Sequence, residues 1–411
     1  MSKMLGLMMG LLSTGCAMAV ELDWHGLVDI RLGSADTIDS YIDGGMGKFG
    51  QSDGQQVSLS QLGAELALNW DSGVSGRLVG NAYLDEEESG IGLTEAYLKY
   101  RSLPDASGYR WQSKAGIFYP SISLENNAFA WASKNTLNAS TLSTWLGEEI
   151  RVLGAEFTLM RLGKMHHSKH DFSLSGAVFG NNDPAGAMLA WHGWTMSSRQ
   201  TLWTERRPLP DFEASRPGNM LSHQAKNSDP FLELDDRLGF HVKARWKYRG
   251  KGEFSSGYYT NNGQPYIVKK GQYAWRTRFY HVGGKWRLAK GLELSGQYLN
   301  GDTLMQNPDK VDMVNNDYAS GYLALTKKWR QHQLTLRGEE FSVADKDNTP
   351  GDNNTEYGKA MTVNYRYQYA KNWFFSGEFN WIDSDRPARS YIGQAAKLTE
   401  RQLQFSARYF F

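Results

Sequence analysis

The sequence predicts an all-β protein, a transmembrane antiparallel β-barrel of about sixteen strands with short periplasmic turns and long external loops. Two observations predict this fold class. Apolar and polar residues alternate with a period of two along most of the chain, which is typical of strands with one apolar and one wet face. The connections between these segments are alternately short and long, as in barrels that cross a membrane.

Residues 1–19 are predicted to be a cleaved signal peptide. Lys3 precedes a short apolar run, 4–12, and 17–19 form a small-residue cleavage site. The apolar run is shorter than the roughly 20 residues that cross a bilayer as a helix. A lipoprotein signal around Cys16 is the alternative. Cleavage at 19 would leave a mature chain without cysteine and, through the loss of Lys3, change its net charge from +1 to 0.

The mature part, 20–411, is predicted to be one barrel. No shift in composition and no linker divides it, and a chain without net charge has no global field that would favour nucleic acid as a partner. Mean hydropathy is low although the fold is membrane-embedded, because only half of each strand faces lipid.

The first strand illustrates the alternation that recurs along the chain. Leu22, Trp24 and Val28 share one face, and Asp23, His25 and Asp29 share the other. The turn Asp71-Ser72-Gly73 ends the second strand. Short connections are predicted near 71–74, 103–108, 160–168, 249–252, 287–291, 328–332 and 369–372. Long connections are predicted near 35–56, 85–92, 119–148, 182–235, 261–272, 301–316, 344–356 and 384–397.

The last strand has the clearest two-faced pattern. Leu403, Phe405, Ala407, Tyr409 and Phe411 share a face that is expected to contact lipid. This stretch resembles the C-terminal targeting strand of bacterial outer-membrane barrels. Aromatic residues also cluster beside the predicted short turns, which suits the level of the lipid headgroups.

The segment 119–148 is predicted to fold into the barrel as a constriction loop, because it is long and carries buried-type residues such as Trp131 and Trp145. The blocks 96–100 (AYLKY) and 114–120 (KAGIFYP) before it resemble sixteen-stranded porins related to the phosphate-selective O/P group. That resemblance implies an inward third loop and a homotrimer. The loop departs from the family pattern because Lys134 is its only basic residue, which favours a broader small-solute channel.

Basic residues are in excess at the positions that alternation places inside the wall. Fixed cations in a narrow aqueous channel favour anions, whereas charges that pair with acids would only brace the wall. The predicted pore-lining residues are Arg31, Arg77, Lys99, Arg110, Lys114, Lys134, Arg151, His241, Lys243, Arg245, Arg276, Arg278, Arg337, Arg366 and Arg408.

The sequence therefore predicts a porin of the bacterial outer membrane that passes small hydrophilic solutes by passive diffusion, with a mild preference for anions. Its expected partners are outer-membrane lipid and lipopolysaccharide. No catalytic residue, cofactor or metal is expected, and the crowded His166, His167 and His170 are interpreted as a solvated turn. Two alternatives remain, an outer-membrane barrel enzyme and a non-conducting structural or adhesive barrel.

Overall fold

The computed structural model describes residues 20–85 and 89–411, so the predicted signal peptide, 1–19, lies outside the described residues. Within these ranges the chain forms a closed barrel of sixteen strands in which each strand pairs antiparallel with its neighbour in sequence. The barrel strands are β1 Val20–Asp36, β2 Gly54–Trp70, β3 Val74–Leu84, β4 Gly90–Arg101, β5 Tyr109–Phe118, β6 Val152–Arg161, β7 His170–Gly180, β8 Gly239–Tyr248, β9 Gly252–Thr260, β10 Arg276–Ala289, β11 Leu292–Gln306, β12 Asp312–Trp329, β13 His332–Asp345, β14 Glu356–Gln368, β15 Trp373–Asp385 and β16 Lys397–Phe410.

Helical and other short elements lie in the connections. The α-helices are α1 Thr141–Glu149 and α2 Ala187–His192. The 3-10 turns are Tyr41–Asp43, Phe129–Trp131, Gly163–His166, Glu213–Ser215 and Pro387–Ile392, and two short ladders pair Arg207–Pro208 with Asn227–Ser228 and Val268–Lys269 with Gln272–Tyr273. No helix in the described part of the chain is long and apolar enough to cross a membrane.

The outer wall is apolar, as the alternation predicts. Outward side chains such as Leu323, Val282 and Phe405 are 67%, 49% and 56% exposed. Near the short turns the aromatic rings contact one another, with centroids 6.2 Å apart for Trp246–Trp286 and 4.8 Å apart for Trp373–Tyr409. Lipid is the solvent that tolerates such a belt, so the barrel spans a membrane.

The seam between β1 and β16 closes the wall. Gly26 and Phe411 exchange backbone hydrogen bonds of 2.9 and 3.1 Å, and the Phe411 ring lies 5.2 Å from that of Trp24. A Cβ at position 26 would stand 2.1 Å from the Phe411 ring, so glycine is required for this close approach. Phe411 therefore fills the space that Gly26 leaves on the outer side of the seam.

We expect Phe411→Ala to slow barrel assembly, because the last ring contacts of the closing seam are lost while the pore interior is untouched. The fraction of heat-modifiable, folded barrel on a gel should fall. Phe375→Ala, an outward aromatic on β15 away from the seam, is the control. Equal losses from the two variants would show that the seam has no special role.

The loop pattern differs from the prediction at two places. The long connection predicted at 301–316 is only 307–311, because β11 extends to Gln306 and β12 begins at Asp312. Backbone hydrogen bonds of Asn307 with Lys310 and Val311 close the turn. On β10 the inward assignment of Arg276 and Arg278 is out of phase with the structure, in which the alternation is unbroken up to Arg287 and the one irregularity lies between Arg287 and Ala289. The second difference decides which β10 side chains face the interior.

The interior is filled on one side rather than open throughout. Trp145 of α1 contacts Trp194, Phe279 and Tyr318 with ring centroids 5.8, 5.4 and 5.3 Å apart. These rings belong to a buried apolar cluster that includes inward residues of β5 to β7 and β9 to β15. The polar cavities of the interior therefore lie beside the wall formed by β16 and β1 to β3 and at the periplasmic end.

Candidate functional site

The constriction loop, residues 119–151, enters the barrel after β5 and returns to the wall at β6. Ser140 starts α1 because its Oγ accepts a hydrogen bond from Ser143 N at 3.2 Å. The preceding stretch, 133–139, crosses the interior without regular structure, and we call it the septum. The septum contacts wall residues on five strands, β1 and β13 to β16.

Four guanidinium groups hold the septum by its backbone carbonyls. Arg337 donates to Asn138 O at 3.1 Å and to Ala139 O at 3.0 Å, and Arg408 donates to Ser133 O at 3.3 Å. Arg366 donates to Lys134 O at 2.5 Å. Arg31 donates to Leu137 O at 3.4 Å and to the side-chain Oδ1 of Asn138 at 3.1 Å. These arginines act as anchors for the loop.

Carboxylates bind backbone amides of the septum and of the start of α1 that follows it. Glu378 accepts from Leu137 N and Asn138 N, the second at 2.9 Å. Glu339 accepts from Thr141 N at 2.7 Å, and Glu125, on the loop itself, accepts from Ser140 N at 3.0 Å. Donors and acceptors of the septum are thus both satisfied by ionised side chains, which make stronger hydrogen bonds than neutral ones.

Three of the four anchors, Arg31, Arg337 and Arg408, are buried and paired with carboxylates. Arg337 lies 2.7 Å from Glu339 and 2.8 Å from Glu125, and Asp29 lies 2.7 Å from both Arg31 and Arg408. Removing one partner from a buried pair costs about 3–5 kcal/mol, because the remaining charge stays desolvated. The septum is consequently a rigid partition.

Two cavities lie on opposite sides of the septum. The outer cavity has a volume of about 40 Å³ and is lined by Arg31, Asn138, Arg199 and amide and hydroxyl side chains such as Gln56 and Gln404. The inner cavity, toward the periplasmic end, has a volume of about 220 Å³ and is lined by Lys134, Lys285, Glu293, Lys328 and Arg337. The septum lies between them, since Asn138 lines the outer cavity and residues 133–136 line the inner one.

Most predicted pore-lining residues point inward, but Arg276 and Arg278 do not. On β10 the side chains of Thr277, Phe279 and His281 are buried inside, whereas Arg278 and Tyr280 are on the outer face, 46% and 68% exposed. The alternation of β10 is unbroken from Arg276 to Arg287, so the phase that buries Phe279 and His281 inside keeps both arginines outside. Both are removed from the candidate pore.

The inward residues divide into paired and water-facing groups. Arg77–Glu65, Lys114–Glu156 and Arg245–Glu253 are ion pairs with N–O distances of 2.6, 3.5 and 2.8 Å. Arg151 is buried against the Phe231 ring, Lys243 donates to Ser121 O, and His241 contacts His281 at 3.0 Å between their Nε2 atoms. Lys99, Arg110, Lys134 and Arg366 make no ion pair within 20–85 and 89–411, so no carboxylate balances their charge directly.

Two further cations of the inner cavity were missed in the sequence. Lys285 follows the β10 stretch whose phase was misassigned, and it pairs with Glu253 at 3.3 Å. Lys328 lies beside a predicted short turn, and its inward alternation with the buried Thr326 is the signal that identifies it. Glu125 was missed because nothing in its local sequence indicates contact with Arg337, 212 residues away.

One acidic cluster lies in the long connection 181–238. Ligand oxygens of Asp183, Glu233 and Asp235 all lie within 4.8 Å of one another. Asp183 already accepts from Leu234 N and from Asp235 N, the latter at 3.2 Å, and burial raises its pKa to about 7. The Asp183 carboxylate thus joins the two ends of this connection, and this structural role accounts for the clustering of the three acidic residues.

The end of α1 carries two buried carboxyl groups. Glu149 accepts from Trp145 Nε1 at 2.6 Å, from Gly186 N at 3.1 Å and from Met188 N at 2.9 Å, so it joins α1 to the segment that begins α2. Burial raises the pKa of Glu149 to about 7 and that of Glu148 to about 8. Both values exceed the ordinary value of 4.5.

We expect the free energy of unfolding to fall as pH rises from about 4.5 to 8. In this window the folded chain keeps protons on Glu148 and Glu149 that the unfolded chain has lost, so the stability present at low pH disappears as each folded group ionises. For Glu149 the loss is about 3 kcal/mol. Thermal unfolding and amide exchange of α1 at pH 5 and pH 8 measure it, and Glu149→Gln should flatten the pH slope. An identical slope in that variant would contradict this origin.

Comparison with known proteins shows that this chain is similar in fold to solved outer-membrane structures. No protein-family model matches the chain, and no curated protein matches it. Among solved structures it is similar to the outer membrane channel DcaP of Acinetobacter baumannii, at 11% identity over 98% of this chain and 100% of that chain, with a TM-score of 0.57. It is similar to the anion-selective porin from Comamonas acidovorans, at 12% identity over 96% and 100%, with a TM-score of 0.53. It is also similar to the trimer form of OmpT, an outer membrane protein of Vibrio cholerae, at 11% identity over 96% and 100%, with a TM-score of 0.52. The chain has the fold of a sixteen-stranded outer-membrane porin.

Proposed function

We propose that this protein is an outer-membrane porin through which small hydrophilic solutes diffuse passively, with a mild preference for anions. The observation that carries the proposal is a closed barrel with an apolar outer belt and a loop anchored across its interior. The similar structures, which are channels and porins, support the same role. Transport of this kind uses no cofactor and no covalent chemistry, so we propose no enzymatic activity.

The route we propose runs along the polar side of the interior. Solutes enter through the outer cavity, pass the septum next to Arg31 and Asn138, and leave through the wider inner cavity. Because the outer cavity is only about 40 Å³, the septum limits the flow and only small solutes or ions are expected to pass. The unit conductance should accordingly be small.

Free cations at the periplasmic end support the anion preference. Lys99, Arg110 and Lys134 face the lumen there without ion pairs in the described part of the chain, and Lys328 lines the same cavity. A positive potential in a confined aqueous path raises the local concentration of anions. Ion pairs with carboxylates keep the preference mild, and they are made by Arg31, Arg77, Lys114, Arg245, Arg337 and Arg408.

Planar-bilayer recording tests the proposal. Folded protein should give discrete conductance steps, and the reversal potential in a KCl gradient should indicate a chloride preference. Folded protein that inserts and gives no steps would refute the porin role. We also propose cleavage after residue 19 and assembly as a homotrimer, which mass spectrometry of the mature protein and of the detergent-solubilised oligomer would check.

A non-conducting structural barrel is the second candidate, and the fully bonded septum favours it. If the anchors never release, the two cavities stay separate and no current flows. A variant that loosens the septum distinguishes the cases, because a porin conducts before and after the change whereas a sealed barrel conducts only after it.

A further inference from the structure

A charged cluster interrupts the apolar outer wall near the external end of β10 to β12. Asp302 of β11 lies 3.2 Å from Arg276 and 2.8 Å from Arg278, and Asp317 of β12 pairs with Lys346. Asp302 is opposite Arg278 and also opposite Asp317 in strand register, so the groups form one continuous patch. We call it the rim cluster.

The rim cluster lies at the level of the external headgroups. Arg278 is eight residues above Trp286, which belongs to the aromatic belt at the periplasmic turns. A strand rises about 3.3 Å per residue and is tilted by roughly 40°, so this separation is about 20 Å along the membrane normal and Arg276 is about 25 Å above Trp286. An apolar band of about 25 Å ends there.

The rim cluster has an excess of positive charge, whereas two other charged groups on the outer face are balanced. Its three cations face two carboxylates, and the Nε of Arg276 has no hydrogen-bond partner in the described part of the chain. Elsewhere on the outer face, Asp36 and Arg401 balance each other at 3.7 Å, and Lys359 is opposite Asp383 and Glu340 in register. The excess of guanidinium groups is therefore a local feature.

The chemistry of the rim cluster fits a phosphorylated lipid. Guanidinium groups bind phosphate oxygens with paired, charge-assisted hydrogen bonds. A surface depression of about 370 Å³ is lined by Arg278, Asp302 and Asp317 and is flanked by Tyr258 and Tyr280. Tyrosines at this level present a ring to acyl chains and a hydroxyl to headgroups.

We propose that the rim cluster is a binding site for the phosphate of an outer-leaflet lipid, a phosphorylated lipid A headgroup. Arg276 and Arg278 bind the phosphate, Asp302 orients the two guanidinium groups, and Tyr258 and Tyr280 contact the lipid beside it. The assignment rests on the proposed outer-membrane location and is independent of conduction.

Binding of bisphosphorylated lipid A to the delipidated full-length barrel in detergent, followed by native mass spectrometry, tests the site. We expect Arg276→Gln/Arg278→Gln to weaken this binding at least tenfold, and dephosphorylated lipid A to bind wild type and variant equally. Arg401→Gln, at the same level on β16, is the control and should bind like wild type.

Equal affinity of the double variant and wild type for bisphosphorylated lipid A would overturn the proposal. So would loss of the oligomer in the double variant with unchanged lipid binding, because the rim cluster would then be a contact between protomers. Bilayer conductance of the double variant separates this inference from the proposed function. Normal conductance with lost lipid binding supports both, whereas absent conductance in wild type refutes the porin role alone.

Discussion

Arg337→Gln should raise the single-channel conductance several-fold. Arg337 donates to Asn138 O, Ala139 O and the Thr136 hydroxyl and pairs with Glu339 and Glu125, so it is the most connected anchor of the septum. Glutamine cannot reproduce the planar fork of donors, and two carboxylates lose their counter-charge at a cost of about 3–5 kcal/mol. The septum should therefore detach from β13, and the outer and inner cavities should merge. Planar-bilayer recording of the variant measures the effect.

Arg245→Gln is the matched control, because Arg245 also points inward and pairs with Glu253 but, within residues 20–85 and 89–411, makes no hydrogen bond or ion pair with the septum. Its conductance should remain that of wild type. Since Arg337→Gln removes a buried charge, Arg366→Gln provides a milder test: it removes one hydrogen bond to Lys134 O and one to Gln333. A normal conductance in both septum variants, with the barrel folded, would mean that the septum does not limit the flow.

The strands of the wall were predictable because successive side chains of a barrel strand face lipid and the interior in turn, so apolar and polar residues alternate along the sequence. Leu403, Phe405 and Ala407 alternate with Gln404 and Ser406, and the structure places the first set outside and the second inside. The constriction loop was predictable from its length and its aromatic content, together with the resemblance to porins. Both signals are local in sequence.

The roles of the inward charges were not predictable, because the contacts that define them are distant in sequence. Arg337 and Asn138 are 199 residues apart, and Arg408 and Leu137 are 271 residues apart. Alternation placed Arg408 inside correctly, yet its neighbours make it an anchor of the loop rather than a group that meets passing ions. Arg276 and Arg278 were misplaced because charge was equated with the interior, whereas an outer face is also polar where it leaves the bilayer.

Lys99→Glu/Arg110→Glu should reverse the ion preference of the channel. Both side chains point into the periplasmic half of the lumen, since their neighbours Leu98, Tyr109 and Trp111 are 47%, 39% and 42% exposed on the outer face. Neither makes an ion pair in the described part of the chain, so the exchange changes the field in the water-filled path without leaving a buried charge unpaired. The reversal potential in a KCl gradient should change sign from chloride to potassium preference.

Lys359→Glu/Lys397→Glu is the control that isolates the field of the lumen. It changes the net charge of the chain by the same amount. Both lysines are exposed on the outer face, Lys359 on β14 and Lys397 on β16, and the residues that follow them, Ala360 and Leu398, face the interior. Because charges outside the wall are screened within about 8–10 Å at physiological salt, this variant should keep the wild-type reversal potential. A shift of equal size in both variants would show that selectivity follows total charge. A shift in neither would place the selective step at the septum, where Arg31, Arg337 and Arg408 are paired with carboxylates and Arg366 donates to the neutral oxygens of Lys134 and Gln333.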